Sequence, residues 1–527
     1  MEKKKDEETK KIPRKIIRRA EGGETPADRP NRASDTRPRI NADNKDSPEI
    51  AGRVWDVIKE HNDPPLLYNR GGNIVRVDVD ERFGPFITAF KRHHLRHYLS
   101  RIIRFHTTDR EGNVSTALPP DFLINDMLVE PEKPLPSLSG IVAHPLFAAD
   151  GTLHFEPGYQ AETKCYCHYD PSLSIFSIPQ DPTANIVKEA VRIIEELICD
   201  FPFSGEAERA HAYALFLLPF VREMIDGPTP LHLIEAPTPG SGKSHLARAL
   251  AYPAVGYTLP SMTEGGEEAE YRKRITAALE NGQEFIFIDN VNSQIKSGAL
   301  SSALTGVIWE DRRLQQTEMI RVEVRCVWIA TGNNPRLSEE IARRTVRIRL
   351  VPKTEQPWII DPSVYRHPDL LQYAKEHRGD LIWAGLTLAQ AWISADPKIP
   401  KGFIPLGGFE NWSRVIGGIL YVAGIPGFLG NLQELYEESD QDTGVLREFV
   451  EIWWDLHKDQ PMGVGALYLI VEDAKVLLPL IGKDDLGKKI SLGRLLASLK
   501  NRRIGGFEIV PAGTKQRAQF WKLVKVE

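Results

Sequence analysis

The sequence has 527 residues, of which 41% are hydrophobic and 26% are charged, and its formal net charge is −5. That length suits about three or four domains, and the composition is that of an ordinary folded protein. The slightly acidic balance neither indicates nor excludes nucleic-acid binding, because local basic patches decide affinity for phosphates. No apolar run reaches the roughly 20 residues of a membrane span, and the charged first residues lead us to expect no secretory signal.

The chain has four cysteines, and only Cys165 and Cys167 lie close together in sequence. A common zinc site needs a second pair of ligands, which the Cys-Tyr-Cys-His stretch does not supply. We therefore expect free thiols at all four positions, as in a protein of the reducing cytoplasm. The other two thiols belong to Cys199 and Cys326.

The first 180 residues divide into a charged tail and a mixed segment. Residues 1–50 are rich in Lys, Arg, Glu, Asp and Pro, and we expect them to be disordered. The first twenty are net basic, which fits either a solvated tail or an arm that touches DNA or RNA phosphates. Residues 51–180 contain no catalytic constellation and are expected to form an accessory α/β domain. The aromatic and basic stretch 83–105 fits a solvated helix face or a nucleic-acid contact.

The chain around residue 240 has the layout of a phosphate-binding loop. Two stretches with apolar residues at helical spacing, 185–201 and 207–225, precede it and should pack against the same core. A short apolar strand from Leu231 then leads into a Pro/Gly-rich turn and a helix that opens at Gly-Lys-Ser. Glycines let backbone N–H groups close on phosphate oxygens, and the helix N-terminus adds a positive end. Pro237 takes the place of the first glycine of the usual pattern. The expected nucleotide-binding residues are Pro239, Gly240, Ser241, Gly242, Lys243, Ser244 and His245.

Lys243 and Ser244 have the chemistry that such a loop requires, since the lysine reaches the β- and γ-phosphates and the serine holds Mg²⁺. A second apolar strand, 284–291, carries Asp289 near its end, where it can deliver a magnesium-side carboxylate beside the loop. A second acid often follows the first in hydrolysing proteins, but here that place is Asn290, which is neutral and cannot act as a base. The sequence leaves three alternatives for the missing acid, which are Glu264, Glu268 and Glu310.

Two further polar features are associated with the stretch 324–337, which is an apolar strand with a polar end. This strand ends in Asn333 and Asn334, and an amide there can orient the attacking water or sense the γ-phosphate. The next helix carries Arg343 and Arg344. Paired arginines fit a solvated helix face, and in a ring-forming ATPase they fit a contact with the γ-phosphate of a neighbouring subunit.

The order of these pieces resembles the AAA+ ATPases: a phosphate-binding loop, an acid-ended strand, an Asn-ended strand and an Arg-Arg helix. Within that class, the Leu-Thr-Gly and hairpin stretch at 301–324, followed by Thr-Gly-Asn-Asn-Pro, is similar to superfamily 3 and phage or plasmid primase-helicases. It is also similar to ATPases of integrative mobile elements. The resemblance covers roughly residues 185–430, and it implies an α/β sandwich with a helical lid that assembles as a hexamer around DNA.

The resemblance also assigns roles to two other stretches. A hairpin before the Asn-ended strand grips DNA in the pore of such rings, and that role would fall on 311–321, with Arg312 and Arg313 as phosphate contacts. Residues 365–440 are helical and Trp-rich and would supply the lid. Arg414 within them is either a second sensor arginine of the nucleotide site or a surface charge.

The chain changes character again from residue 446. Helical stretches at 447–457, 463–474 and 486–506 precede two short strands, and three helices with a β-wing describe a winged helix. The third helix and the wing of that fold can bind DNA, although the fold also serves as a protein–protein module. The expected DNA contacts are Lys488, Lys489, Arg494, Arg502 and Arg503.

Together with the resemblance, which implies a P-loop AAA+ three-layer sandwich with a helical lid, the sequence predicts an α/β protein with a mixed α/β N-terminal domain and a C-terminal winged helix. The expected segments are 1–50, 51–180, 181–355, 356–445 and 446–527.

The function that the resemblance implies is an ATP-dependent DNA helicase or replication-initiator ATPase of a phage or mobile element. It would use ATP and Mg²⁺, bind single-stranded or forked DNA, and place its ATP sites between subunits of a cytoplasmic ring. Two alternatives stay open: a helicase loader or DNA-remodelling switch, and a DNA-binding scaffold that holds ATP with little hydrolysis.

Overall fold

The computed structural model describes most of the chain beyond the basic tail. The described residues are 36–80, 84–170, 172–312, 319–359, 361–396, 398–439, 441–478, 480–515 and 518–526. The net-basic first twenty residues lie outside them. Part of the stretch expected to be disordered is folded, because residues 39–41 are in a strand and residues 47–50 begin a helix.

The helices are numbered in chain order. They are α1 (Ser47–His61), α2 (Arg92–Ile102), α3 (Asp121–Val129), α4 (Ala184–Ile198), α5 (Glu206–Val221), α6 (Lys243–Val255), α7 (Glu268–Glu280), α8 (Gly298–Thr305), α9 (Glu339–Ala342), α10 (Leu370–Glu376), α11 (Arg378–Ser394), α12 (Glu410–Ala423), α13 (Leu432–Ser439), α14 (Gln441–His457), α15 (Val464–Asp473) and α16 (Asp485–Ser498).

The strands are numbered in the same way. They are β1 (Arg39–Asn41), β2 (Leu67–Arg70), β3 (Asn73–Asp80), β4 (Gly84–Ala89), β5 (Arg104–Thr108), β6 (Val114–Thr116), β7 (Gly140–Val142), β8 (Leu146–Phe147), β9 (Leu153–His154), β10 (Gly158–Gln160), β11 (Cys165–Cys167), β12 (Leu231–Ala236), β13 (Phe285–Val291), β14 (Ile308–Arg312), β15 (Met319–Glu323), β16 (Val327–Asn333), β17 (Thr345–Arg349), β18 (Met462–Gly463), β19 (Arg503–Ile504), β20 (Phe507–Lys515) and β21 (Ala518–Lys525).

The Cα positions group into two compact units, which do not follow the five expected boundaries; those boundaries stay predictions. The smaller unit takes its described residues from Met1–His61 and His93–Asn125, and the larger one from Asn62–Arg92 and Asp126–Glu527. In the smaller unit, β1 pairs in parallel with β5, and β5 pairs antiparallel with β6.

The centre of the larger unit is a parallel sheet with the strand order β13-β16-β12-β17. Successive side chains of a strand point to opposite faces, so each strand contributes to two cores. On β12, Leu231 and Leu233 belong to one apolar cluster, whereas Ile234 and Ala236 belong to the other. The nearly continuous apolar sequence of these strands therefore follows from burial on both faces of the sheet.

Helices cover both faces of this sheet. On one face, α4, α5, α6, α11 and α12 share a single cluster of buried side chains with the strands. On the other face, α7, α8 and the β14–β15 hairpin contribute to the second cluster. The two helices predicted before the phosphate-binding loop, α4 and α5, thus pack against the central sheet as expected, and α11 and α12 belong to the same layer.

The C-terminal part of the larger unit has its own small core. Helices α14, α15 and α16 pack with a sheet of strand order β18-β21-β20-β19, in which β20 and β21 form a long hairpin. The third helix is shorter than predicted and ends at Ser498. Asn501 adopts a left-handed φ of +63°, and the turn at Gly505 and Gly506 then reverses the chain into β20. None of the described helices is long and apolar enough to cross a membrane.

Candidate nucleotide site

The loop between β12 and α6 turns sharply through two glycines. Gly240 and Gly242 have φ angles of +72° and +83°, which glycine adopts without strain. A Cβ on Gly240 would lie 2.7 Å from the Cβ of Trp358, so the backbone also approaches a neighbour closely there. Pro237 is not among the left-handed residues of the described chain, and this path therefore has no need of glycine at position 237. The loop ends at the N-terminus of α6, where the helix dipole is positive.

The other predicted loop residues lie in the same turn. The Ser241 hydroxyl is buried and donates a hydrogen bond to the carbonyl oxygen of Thr238. The ammonium group of Lys243 donates to that same carbonyl at 3.2 Å. Pro239 and His245 are exposed on either side of this contact. The predicted set thus spans the turn, from Pro239 to Gly242, and the first residues of α6, from Lys243 to His245.

Lys243 is only 8% exposed and reaches across to the neighbouring strand. Its Nζ donates to Oδ1 of Asn333 at 2.7 Å, because the parallel register places Ala236 opposite Asn333. Burial lowers the pKa of Lys243, and the nearby carboxylate of Asp289 opposes that shift. Of the two asparagines that the sequence offered, Asn333 brings its side chain to the lysine, whereas Asn334 donates its backbone N–H to Ala236.

Asp289 lies at the carboxyl edge of the sheet and accepts three hydrogen bonds. Oδ1 accepts from the Ser244 hydroxyl at 2.5 Å and from the Thr331 hydroxyl at 2.6 Å, and Oδ2 accepts from Arg248 at 3.1 Å. The sequence did not predict the last two partners. Arg248 lies one helical turn after Ser244 and so shares its face, and Thr331 lies two residues before Asn333 on the same face of β16.

The asparagines at 290 and 334 owe their identity to the backbone. Their φ angles are +57° and +43°, in the left-handed region where Asn is tolerated better than most residues. The register of β13 shifts between Ile288 and Val291, so Asn290 sits in an irregularity of the strand. Its side chain is exposed, and its backbone N–H donates to the Thr331 hydroxyl at 2.9 Å.

The paired arginines lie at the other edge of the sheet. They precede β17, and the backbone N–H of Leu231, the first residue of β12, donates to the carbonyl of Arg344 at 2.9 Å. The length of β12 separates this edge from the phosphate-binding loop by roughly 17 Å. Arg344 is held by the carbonyl and the carboxylate of Glu340. Arg343 is exposed, and its side chain has no hydrogen-bond or ion-pair partner among the described residues.

Arg414 lies away from the phosphate-binding loop. It is exposed near the start of α12, where Asn411 donates to the carbonyl of Asp226 and Trp412 packs 6.0 Å from the ring of His232. Since Asp226 and His232 are at the amino end of β12, the structure does not bring Arg414 to the phosphate loop of its own chain. The sensor role of Arg414 stays a prediction, and its exposed position favours the surface-charge alternative.

The β14–β15 hairpin exists where the sequence predicted it. The end of β14 is fixed to α7, because buried Asp311 accepts hydrogen bonds from Arg272 at 2.8 Å and from Thr276 at 2.7 Å. Arg312 is the last residue of β14, opposite Met319, and so lies at the far end of the hairpin. Arg313 lies outside the described residues.

The predicted C-terminal DNA contacts divide into two groups. Lys488, Lys489 and Arg494 are on α16, and the Lys489 ammonium lies 5.2 Å from the ring centre of Tyr468. Arg502 and Arg503 are not on that helix, contrary to prediction, because the helix ends before the left-handed turn at Asn501. Arg502 contacts the carboxylate of Glu339 at 3.2 Å, whereas Arg503 is exposed in β19. The basic residues therefore do not form one helical stripe.

None of the four cysteines forms a disulfide. Cys165, Cys167 and Cys326 are buried, and burial raises the pKa of Cys167 and of Cys326 to about 12. Cys199 is exposed at the end of α4.

A scan against models of known protein families finds no match, and no curated protein matches the sequence. Among solved structures, the chain is similar to the apo A form of the NrS-1 C-terminal region, with 10% identity over 89% of this chain and 98% of that one, at a TM-score of 0.34. It is also similar to the active helicase Cch of SCCmec type IV, with 12% identity over 86% and 93% of the two chains and the same TM-score of 0.34. The JCV helicase shares 15% identity over 48% of this chain and 74% of its own, with a TM-score of 0.19. The last two of these neighbours are helicases by name, and at these identities and TM-scores none of the likenesses places the chain in a family.

Proposed function

We propose that the chain is an ATPase that binds ATP and Mg²⁺ at the carboxyl edge of its central sheet. One observation carries the proposal: beside a glycine loop at a helix N-terminus, Lys243 contacts Asn333 and Ser244 contacts Asp289. Backbone N–H groups and the dipole of α6 suit the phosphates, and the ammonium of Lys243 suits the β- and γ-phosphate oxygens.

The oxygen donors at this edge fit a magnesium ion. Carboxylate and hydroxyl oxygens are ligands that Mg²⁺ accepts together with substrate phosphates, and Ser244 and Asp289 supply one of each, 2.5 Å apart. The bound ion would neutralise charge on the phosphates. Thr331 and Arg248 hold the carboxylate of Asp289 in place, and the amide of Asn333 would orient the attacking water or sense the γ-phosphate.

The site is proposed to act in a ring of identical subunits. Arg343 is exposed at the opposite edge of the sheet, which suits a contact with the γ-phosphate of a neighbour rather than with the nucleotide of its own chain. The motif order supports the AAA+ class with a three-layer sandwich, and the layer of α11 and α12 would take the place of the lid.

We further propose that the ring is a cytoplasmic DNA helicase or replication initiator of a phage or mobile element. DNA contacts would come from Arg312 and Arg313 at the β14–β15 hairpin and from a C-terminal winged helix built from α14–α16 and β18–β21. The support for this step is the motif order, the hairpin and the three-helix arrangement with its long β-hairpin.

The test is strand displacement on forked DNA, measured together with DNA-stimulated ATP turnover and the mass of the assembled state. Displacement that is lost in Lys243→Ala supports the helicase. Turnover without displacement favours a loader or remodelling switch. The third outcome, ATP-dependent assembly with negligible turnover, would make the chain a scaffold, an alternative favoured by the neutral Asn290.

A further inference from the structure

ATP hydrolysis at the proposed site needs a group that takes a proton from the attacking water. Asn290 occupies the usual place of that acid, and an amide cannot accept a proton at neutral pH. The left-handed backbone and exposed side chain explain why Asn stands there. The acid must therefore come from another part of the same edge.

Glu264 lies on a short segment that extends the sheet beyond β13. Met262 forms a parallel bridge with Ile288, its N–H donates to Phe287 at 2.8 Å, and its carbonyl accepts from Asp289 at 2.9 Å. Glu264 follows this bridge by two residues, on the segment that runs beside the end of β13. The bridge to Ile288 and the hydrogen bond from Asp289 bring this segment to the edge of the sheet that carries Asp289.

The carboxylate of Glu264 is held through one of its two oxygens. Oε2 accepts from the backbone N–H groups of Asn292 and Ser293 at 3.0 and 3.1 Å, and from the Ser293 hydroxyl at 3.1 Å. The held residues directly follow β13, and the Asn292 amide donates to the carbonyl of Asn290 at 3.0 Å. Oε1 has no donor among the described residues, which leaves one oxygen of a fixed carboxylate able to accept a proton.

The two other acids that the sequence offered lie elsewhere. Oε1 of Glu268 accepts from the backbone N–H of Ala299 at 2.5 Å and so satisfies the start of α8. Glu310 lies in β14, opposite Arg321 in the hairpin. Neither residue is on a strand that ends beside Asp289.

We propose that Glu264 is the general base of ATP hydrolysis and stands in for the acid missing at Asn290; this inference rests on the proposed ATPase function. Oε1 takes a proton from water as the water oxygen bonds to the γ-phosphorus. The bond from that phosphorus to the β–γ bridging oxygen breaks, and its electron pair leaves with ADP. The proton on Glu264 then passes to solvent, so the products are ADP and inorganic phosphate.

The test is Glu264→Gln in the full chain. Glutamine keeps an oxygen that accepts the three hydrogen bonds from Asn292 and Ser293, so the turn stays anchored, but the amide takes up no proton. Steady-state turnover gives kcat and KM, and displacement of a fluorescent ATP analogue gives nucleotide affinity. We expect kcat to fall by roughly 10²-fold or more while nucleotide affinity stays unchanged.

Glu267→Gln is the matched control, because Glu267 is exposed three residues away and its side chain makes no capping bond at α7. It should keep the wild-type rate. Wild-type kcat in Glu264→Gln, or a loss of kcat in Glu268→Gln instead, would overturn the inference while the ATPase stands. If the wild-type chain binds ATP without turnover, both the proposed hydrolysis and the proposed role of Glu264 are wrong. If the chain binds no ATP, the proposed nucleotide site is wrong as well.

Discussion

The polar side chains at the two edges of the central sheet differ in how many contacts they make within the chain. At the carboxyl edge, Lys243, Ser244, Asp289 and Asn333 contact one another within one chain. At the amino edge, Arg343 is exposed, and the described part of the chain gives its side chain no ion pair. In the proposed ring, the carboxyl-edge residues would act on the nucleotide of their own chain, and the exposed Arg343 would act on that of a neighbour. The contrast suggests that each chain carries most of one site and a fragment of the next.

The largest effect on ATP turnover should come from removing the side chain of Arg343. Arg343→Ala is expected to lower ATP turnover by about 10³–10⁵-fold, because a transition-state charge loses its cation. Arg344→Ala should cost less, since Arg344 is already engaged with Glu340. Both expectations are checked by measuring ATP turnover on the assembled protein, with the mass of the assembly confirmed for each variant.

The comparison also predicts complementation between two inactive variants. In rings mixed from Arg343→Ala and Asp289→Ala subunits, some interfaces combine an intact Asp289 with an intact Arg343. Turnover should therefore recover partly in the mixture. Equal loss in the mixture and in the separate variants would count against an arginine that acts between chains.

The next largest effect on ATP turnover should come from a substitution at the carboxyl edge. Asp289→Asn keeps the size of the side chain but removes the charge that Ser244, Thr331 and Arg248 surround. We expect turnover to fall by about 10²–10³-fold as this electrostatic support is lost. Wild-type turnover in this variant, together with an unchanged magnesium requirement, would remove Asp289 from the site.

A smaller effect should follow from Gly240→Ala. The residue has a left-handed φ, and its new Cβ would lie 2.7 Å from the Cβ of Trp358. Gly402→Ala is the matched control, because its φ is +76° and nothing lies within 4 Å of a Cβ there. Thermal unfolding should show a loss of about 1–3 kcal/mol for Gly240→Ala and a smaller loss for Gly402→Ala. If the two variants lose the same stability, the close approach to Trp358 does not destabilise the Gly240→Ala variant.

An effect of similar size should be a pH dependence of stability that arises outside both edges. His211 is fully buried, its Nδ1 is 2.8 Å from the carbonyl of Arg347, and its Nε2 accepts from the N–H of Leu429. Burial lowers the pKa of His211 from 6.5 to about 4. The unfolded chain therefore binds a proton that the folded chain does not, and the free energy of unfolding should fall as the pH drops from 6.5 to 4.

This fall amounts to roughly 3 kcal/mol at most for one such histidine. His211→Gln should reduce the pH dependence over that range, as measured by denaturant unfolding at several pH values. The exposed His93→Gln is the control and should keep the wild-type slope. A wild-type slope in His211→Gln would remove this histidine as the cause.

Much of the carboxyl edge could be predicted from the sequence because its information is local. The apolar strands, the glycine turn and the Asp at a strand end are each contained in fewer than a dozen residues, and parallel strands bring their ends together. The contacts of Thr331 and Arg248 with Asp289 were not predicted. Nothing in the sequence around a threonine in a strand or an arginine on a helix indicates which residue it will contact. Their spacing from Asn333 and Ser244 was the available signal.

Other features depend on contacts that no local pattern encodes. Glu264 could not be separated from Glu268 and Glu310, because the difference lies in which backbone N–H groups meet each carboxylate after folding. The end of α16 was misplaced, since the basic residues continue past it and only the left-handed Asn501 marks the break. The position of Arg414 could not be predicted for the same reason, because the packing of α12 sets it.

The distribution of thiols has a practical consequence for watching assembly. Three of the four cysteines are buried, and burial keeps them as unreactive thiols at neutral pH. A maleimide fluorophore should therefore attach to the native chain at Cys199 alone, without removal of any natural cysteine. Energy transfer between copies labelled with donor and acceptor at that position would then report when chains come together, and how nucleotide changes their number and spacing.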